Sequence, residues 1–240
     1  MDLVNNRGVA DMALRIREAV RLEIRDYFSP HQLWAAQDLS DQVGKIEAAT
    51  NNEPDQTTTW RHLGLVLASV QSAASFLEAA INEFLKDAAE GHLKMADETT
   101  KLRLGDLWEA IEGDGRGTNS SVLRKYELAL RIVGKEFDTG TNPYQDAKLL
   151  LQLRNGLAHY KPETVAVDDE HEFTKRLKNK FAESKLRPWS PHEPWYPHGC
   201  LGHGCCQWAI RSAVALADFF FGQFTVTENP PYKHQFRIPH

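Results

Sequence analysis

Residues 60–88 read WRHLGLVLASVQSAASFLEAAINEFLKDA. Apolar residues recur at Trp60, Leu63, Leu67, Val70, Ala74, Leu77, Ile81, Phe84 and Ala88, in alternating steps of three and four. Steps of that size place side chains on one side of an α-helix, because about 3.6 residues complete a turn. The stretch predicts a long helix with an apolar seam for packing against other helices. A polar row runs beside the seam at Gln71, Ser75, Glu78 and Asn82. That row reads either as a face turned to water or as polar support for a site.

The same period continues on both sides. VADMALRIREAVRLEIRDYF and PHQLWAAQDLSDQVGKIEAAT predict an N-terminal helical hairpin, the second helix opening at Pro30. NNEPDQTTT is a polar break, so residues 1–56 are read as an N-terminal extension. Downstream, KLRLGDLWEAIEG and VLRKYELALRIVG each predict a helix closed by glycine, with Ser120 or Ser121 capping the second. Phe173, Leu177 and Phe181 step by four, CCQWAIRSAVALADFFFGQF is a last apolar helix, and residues 226–240 have no period. That tail is expected to lie loosely on the surface. No run of alternating strands occurs, so the class is all-α, with a main helical domain over residues 57–225.

Composition excludes several classes. A chain of 240 residues with 42% hydrophobic content can bury a full core without staples. A net charge of −5 argues against a protein coated for nonspecific nucleic-acid binding, though not against a local basic site. The N-terminus lacks a basic start followed by an apolar stretch, and no uninterrupted apolar run reaches the roughly 18 residues of a membrane span. Cys200, Cys205 and Cys206 are an odd, clustered set, poor as a disulfide framework. The expectation is a cytoplasmic protein with reduced thiols and no membrane partner. P-loop, dinucleotide, HExxH and GxSxG patterns are missing.

LLLQLRNGLAHYKPE, residues 149–163, carries the chemistry. Leu149, Leu150, Leu153 and Leu157 form the expected buried stripe. Asn155 and His159 fall about 40° apart around the axis, and the long Arg154 side chain can sweep back over the preceding turn. Three polar groups can thus converge beside the helix. Gly156 costs about 1 kcal/mol against alanine and leaves a gap for a backbone or ligand. Pro162 ends the helix, which leaves His159 in the last turn, where the carbonyl ends attract positive charge. Histidine can give or take a proton near neutrality, and arginine offers a fork that fits phosphate oxygens. The trio suits metal-free cleavage of an RNA phosphodiester by its own 2′-hydroxyl. The plainer reading is a capped helix end with surface decoration.

Arg154-Asn155-x-x-x-His159 resembles the R-[polar]-x-x-x-H motif of HEPN domains. LRNGLAHYKPE and ASFLEAAINEF are similar to one bacterial HEPN-like group, as more weakly are LRKYELAL and CLGHGCCQWAIRSA. The resemblance spans roughly residues 57–225. It implies a bundle of four or five core helices that forms a homodimer, with the motif helices of two protomers facing each other. Many members are metal-independent endoribonucleases of toxin–antitoxin and antiphage defence systems. They leave 2′,3′-cyclic phosphate ends and need no cofactor. By that resemblance Arg154 would hold the scissile phosphate, His159 would move protons and Asn155 would orient the site. Glu78 and Asn82 would support it from the long helix. An antitoxin or other regulatory protein is an implied partner. A catalytically silent module that binds RNA, a nucleotide or a protein is the alternative. Some HEPN toxins carry a modified tyrosine two residues after the histidine; here that position is Lys161, and Tyr160 precedes it.

Two further clusters stand out. TKRLKNKFAESKLR holds Lys175, Arg176, Lys178, Lys180, Lys185 and Arg187. Lys175, Arg176 and Lys178, with Tyr160 and Lys161, are the residues expected on RNA; the plainer reading is a solvated face balancing Asp168, Asp169, Glu170 and Glu172. His198, Cys200, His203, Cys205 and Cys206 are zinc-ligand types without the spacing of a zinc module. They read instead as a glycine turn followed by small apolar side chains at the start of a buried helix. No metal is expected.

Overall fold

The computed structural model describes residues 24–50, 53–113, 121–162, 171–186, 195–224, 230 and 232–233. Among them the secondary structure is helical throughout. The helices are α1 (Ser29–Ala49), α2 (Gln56–Ala89), α3 (Glu98–Gly113), α4 (Val122–Ile132), α5 (Tyr144–Ala158), α6 (Glu172–Leu177) and α7 (His203–Phe221). The fold is all-α, as the helical period of the sequence requires.

Local signals set several starts. Asp55 caps α2 by accepting the Thr58 N–H at 2.8 Å. Ser121 caps α4 through the Arg124 N–H, and His171 caps α6 through the Phe173 N–H at 3.0 Å. Gly134 follows α4 at φ +68°, a left-handed conformation that suits glycine past a helix end.

α2 is the axis of the bundle and packs against α1, α3, α4, α5 and α7. It is long and apolar enough to cross a membrane, and no other described helix is. Here Val66, Val70, Phe76, Leu77, Ile81 and Phe84 of α2 are buried among the neighbouring helices. Each such side chain contributes roughly 1.5–3 kcal/mol by leaving water. The densest part of the core is aromatic: Phe220 of α7 meets Phe84 at 5.1 Å and Tyr126 of α4 at 4.8 Å, ring centre to ring centre. The Tyr126 hydroxyl donates to the Leu77 carbonyl at 2.9 Å, so its polar end is satisfied at full burial.

α1 and α7 have no side-chain cap of their own. Each is capped by a glutamate from another helix. Glu83 of α2 accepts the Phe28 and Ser29 N–H groups at 2.6 and 2.8 Å and the Ser29 hydroxyl at 2.5 Å. Burial pushes the Glu83 carboxyl up, against the pull of those donors. Glu47 of α1 accepts the His203 N–H at the start of α7 at 2.8 Å and bonds His62 of α2 at 2.9 Å. Burial alone would raise Glu47, but the His62 and His203 bonds outweigh it and hold the carboxyl below its ordinary value. Carboxylates thus tie α2 to α1 and α1 to α7, each at a helix N-terminus where negative charge is favoured. α1 shares the main core through Leu33, Ala36 and Val43.

Several expectations change. Ile24–Phe28, expected as the end of a helix, are not helical. Their polar groups serve α2 instead, with Arg25 paired to Asp87 and Glu90 and the Tyr27 hydroxyl on Asp87. The rest of that expected helix, up to residue 23, lies outside the described residues. Trp60 and Leu67, placed by period in the α2 seam, are 67% and 38% exposed. The core wraps the later turns of α2 and leaves this side of the first turns open. The expected loose tail holds an anchor: Tyr232 is buried, packs on Phe76 at 5.2 Å and donates to Asp218 at 2.8 Å.

Candidate functional site

The polar row of α2 is not simply a face turned to water. Two cations from other helices reach it. Arg154 of α5 places Nη2 3.5 Å from the Glu78 carboxylate, with the two side chains 23% and 47% exposed. One turn along, Lys125 of α4 donates from Nζ to Asn82 Oδ1 at 2.8 Å. Lys125 is only 6% exposed and sits 5.9 Å from the centre of the Trp108 ring. No carboxylate among the described residues pairs with it. At the other end of the row, Gln71 donates to Ser75 at 3.3 Å. The row therefore meets one cation at its carboxylate and a second at its amide. The Arg154 Nε is buried without an acceptor, so this guanidinium has donor capacity to spare.

Arg154 projects toward α2 because its position lies between the buried Leu150 and Leu153 and the half-buried Leu157 on the α5 surface. Leu157, expected in the buried stripe, is only partly covered. It lines a groove of about 370 Å³ with Gly64, Leu67, Gln71, Arg154 and Ala158. The exposed Trp60 and Leu67 belong to the same open side of α2. Nothing lies within 4 Å of a Cβ built on Gly64, so that helix surface is bare.

Asn155 and His159 point elsewhere. Both are exposed on the last turn of α5, and His159 closes the helix by donating its backbone N–H to the Asn155 carbonyl at 2.9 Å. No hydrogen bond joins the side chains of Arg154, Asn155 and His159 to one another. Within one chain the trio occupies two faces of one helix end rather than a single point. Tyr160, 54% exposed, and Lys161 follow immediately, beyond the helix.

The Gly156 gap is already filled. A Cβ there would meet the Phe173 ring at 2.9 Å, so this glycine admits α6 of the same chain, not a ligand. Phe173 and the stacked pair His171–Tyr196, 4.5 Å apart, pack in this region. Of the cations expected on RNA, Lys175 is exposed. Arg176 binds Glu172 at 3.0 Å and Gln152 of α5 at 2.6 Å, so it lies along α5. Lys178 has an interaction partner, and Lys180 is 2.6 Å from Asp146. Arg187 and the acidic residues Asp168, Asp169 and Glu170 lie outside the described residues.

The cysteines act as core residues. Cys200, Cys205 and Cys206 are fully buried, and burial pushes the Cys206 thiol up. For Cys205 a hydrogen bond with Cys200 adds to burial in the same direction. No group of three metal-ligating side chains occurs among the described residues. The His203 ring covers Gly44 of α1, where a Cβ would meet it at 3.0 Å.

Lys125 is the residue that sequence reading missed. Its signal was present: Val122, Lys125 and Ala129 share one side of α4, so a lysine stands in a mostly apolar stripe. Comparison with protein-family models, curated proteins and solved structures finds no match to this chain.

Proposed function

We propose that this chain is a HEPN-like, metal-independent endoribonuclease, built on a helical bundle that works as a homodimer in the cytoplasm, as a bacterial toxin or antiphage effector. The observation that carries the reading is the α5 end. A half-buried arginine with a spare donor stands beside an open groove, and an unengaged imidazole stands on the adjacent turn.

In this reading two α5 ends meet, with Trp60, Leu67 and the groove of each protomer covered by its partner. Exposed apolar surface of this kind is what a subunit interface removes from water. Facing ends would bring a second Arg154 and His159 to complete the site. One His159 takes the proton from the 2′-hydroxyl as its oxygen attacks phosphorus. The other protonates the departing 5′-oxygen, and the cyclic phosphate remains. Arg154, held by Glu78, binds the non-bridging oxygens as charge builds on the phosphorane. Asn155 orients the imidazole pair. Tyr160, Lys161, Lys175 and Lys178 would follow the RNA strand. An antitoxin or regulator would act by covering the paired α5 ends.

Purified protein should cleave total RNA in excess EDTA and leave 2′,3′-cyclic phosphate ends. His159→Ala and Arg154→Ala should each lower the rate about 100-fold or more. Cleavage that survives both substitutions would remove the assigned residues. A second reading is a silent RNA- or protein-binding module, favoured by the pairing of Arg154 with Glu78. It predicts retained RNA binding with no cleavage by wild type.

A further inference from the structure

A second groove opens at the other end of α5. It has a volume of about 590 Å³, within the roughly 300–1,000 Å³ range of small-molecule sites. Its lining comes from the start of α5, from Lys180 and from one side of α7. Asp146 lies eight residues before Arg154, roughly 12 Å along the helix, so this groove is separate from the site above.

Its charge is unbalanced. Asp146 is the acidic residue of the lining, and its carboxylate is taken twice: Lys180 Nζ lies 2.6 Å from one oxygen, and the Asn142 amide donates to the other at 2.9 Å. That leaves Arg211 of α7, which is exposed and makes no ion pair or hydrogen bond among the described residues. Around it the lining is apolar, with the rings of Trp208 and Phe219 and the small Pro143 and Ala215. The Trp208 side chain is nine-tenths buried or more, and its indole N–H has no acceptor. An uncommitted guanidinium at the mouth of a ring-lined groove fits a ligand with a charged end and a flat body.

We propose that this groove binds a small organic anion, a carboxylate or phosphate monoester on a planar apolar body. The charged end sits on Arg211 and the body lies along Ala215 toward Phe219 and Pro143. The inference does not depend on the ribonuclease reading.

The test is calorimetric titration of the full chain with 2-naphthoate and 2-naphthyl phosphate, with 2-naphthol and inorganic phosphate as the separated halves. Saturable binding of either anion, at least about tenfold tighter than both halves, is expected. Arg211→Gln should weaken it about tenfold or more, and Ala215→Trp, at an exposed position, should abolish it by filling the groove. Both variants should melt within a few degrees of wild type. The proposal is overturned if neither anion saturates by about 5 mM, if 2-naphthol binds as tightly, or if Arg211→Gln binds like wild type.

Discussion

The two halves of α2 use the same kinds of residue for opposite ends. Toward its C-terminus Glu83, Asp87 and Glu90 are all committed: one caps α1, and the others hold Arg25 and Tyr27. In the first half and middle, Trp60 and Leu67 are exposed, Gly64 is bare, and Glu78 meets Arg154 only at 3.5 Å. Polar and apolar groups at one end are consumed by architecture. At the other, one side of α2 holds His62 on Glu47 and Ser69 on the Ala36 carbonyl, while the side with Trp60, Gly64 and Leu67 is left available and is the functional face in the proposed reading.

The sharpest way to break this contrast is to remove an architectural carboxylate. Glu47→Ala would uncap α7 and strand His62 in the core, where its side chain is 5% exposed. A loss of about 3–5 kcal/mol is expected in denaturant unfolding. A loss below about 1 kcal/mol would show that the shared caps do not hold the bundle. The pH dependence follows from the lowered Glu47 carboxyl. Its contribution is present above the ordinary value of 4.5 and is lost as pH falls through the lower native value. Glu83 runs the other way: with its carboxyl raised, its contribution is present below 4.5 and is lost as pH rises through the native value. Acid titration of stability in Glu47→Gln and Glu83→Gln should therefore change slope in opposite senses.

Next in size is the comparison of glutamates along α2. Glu83→Ala should cost about 2 kcal/mol, as loss of a well-formed cap does. Glu78→Ala should cost about 0.5 kcal/mol or less, because its partner is distant and both groups meet water. Equal losses would erase the distinction between the halves.

The smallest effects come from two helix glycines. Gly64→Ala should stabilise the isolated chain by about 0.5–1 kcal/mol, since nothing opposes the added methyl. Gly156→Ala should destabilise by about 1 kcal/mol despite the better helix propensity, because the Phe173 ring must move. Thermal melts of the two variants decide the signs.

Much of this was legible in the sequence. The period of three and four gave the helices, Ser121 and Pro30 stood at helix starts as read, and the cysteines behaved as small core residues. What was illegible depended on partners distant in the chain. Period could not tell Trp60 from Val70, because α1 covers one side of the first turns of α2 and leaves the side of Trp60 open. It could not show that Phe173 occupies the Gly156 gap, or that Tyr232 pins an aperiodic tail. Nor could it show that Lys125, in an apolar stripe, points its charge at Asn82. In the motif itself, spacing placed Arg154 and His159 on one helix end, but the α2 surface drew Arg154 away from His159.

In the proposed reading the open face of α2 and the α5 end form a functional site when two copies meet. The most direct measurement is sedimentation equilibrium and EDTA-resistant RNA cleavage on the same samples of wild type and Trp60→Asp/Leu67→Asp. A dimeric, active wild type and a folded, monomeric, inactive variant are expected. A variant that keeps both dimer and cleavage, or a wild type that cleaves as a monomer, would contradict it.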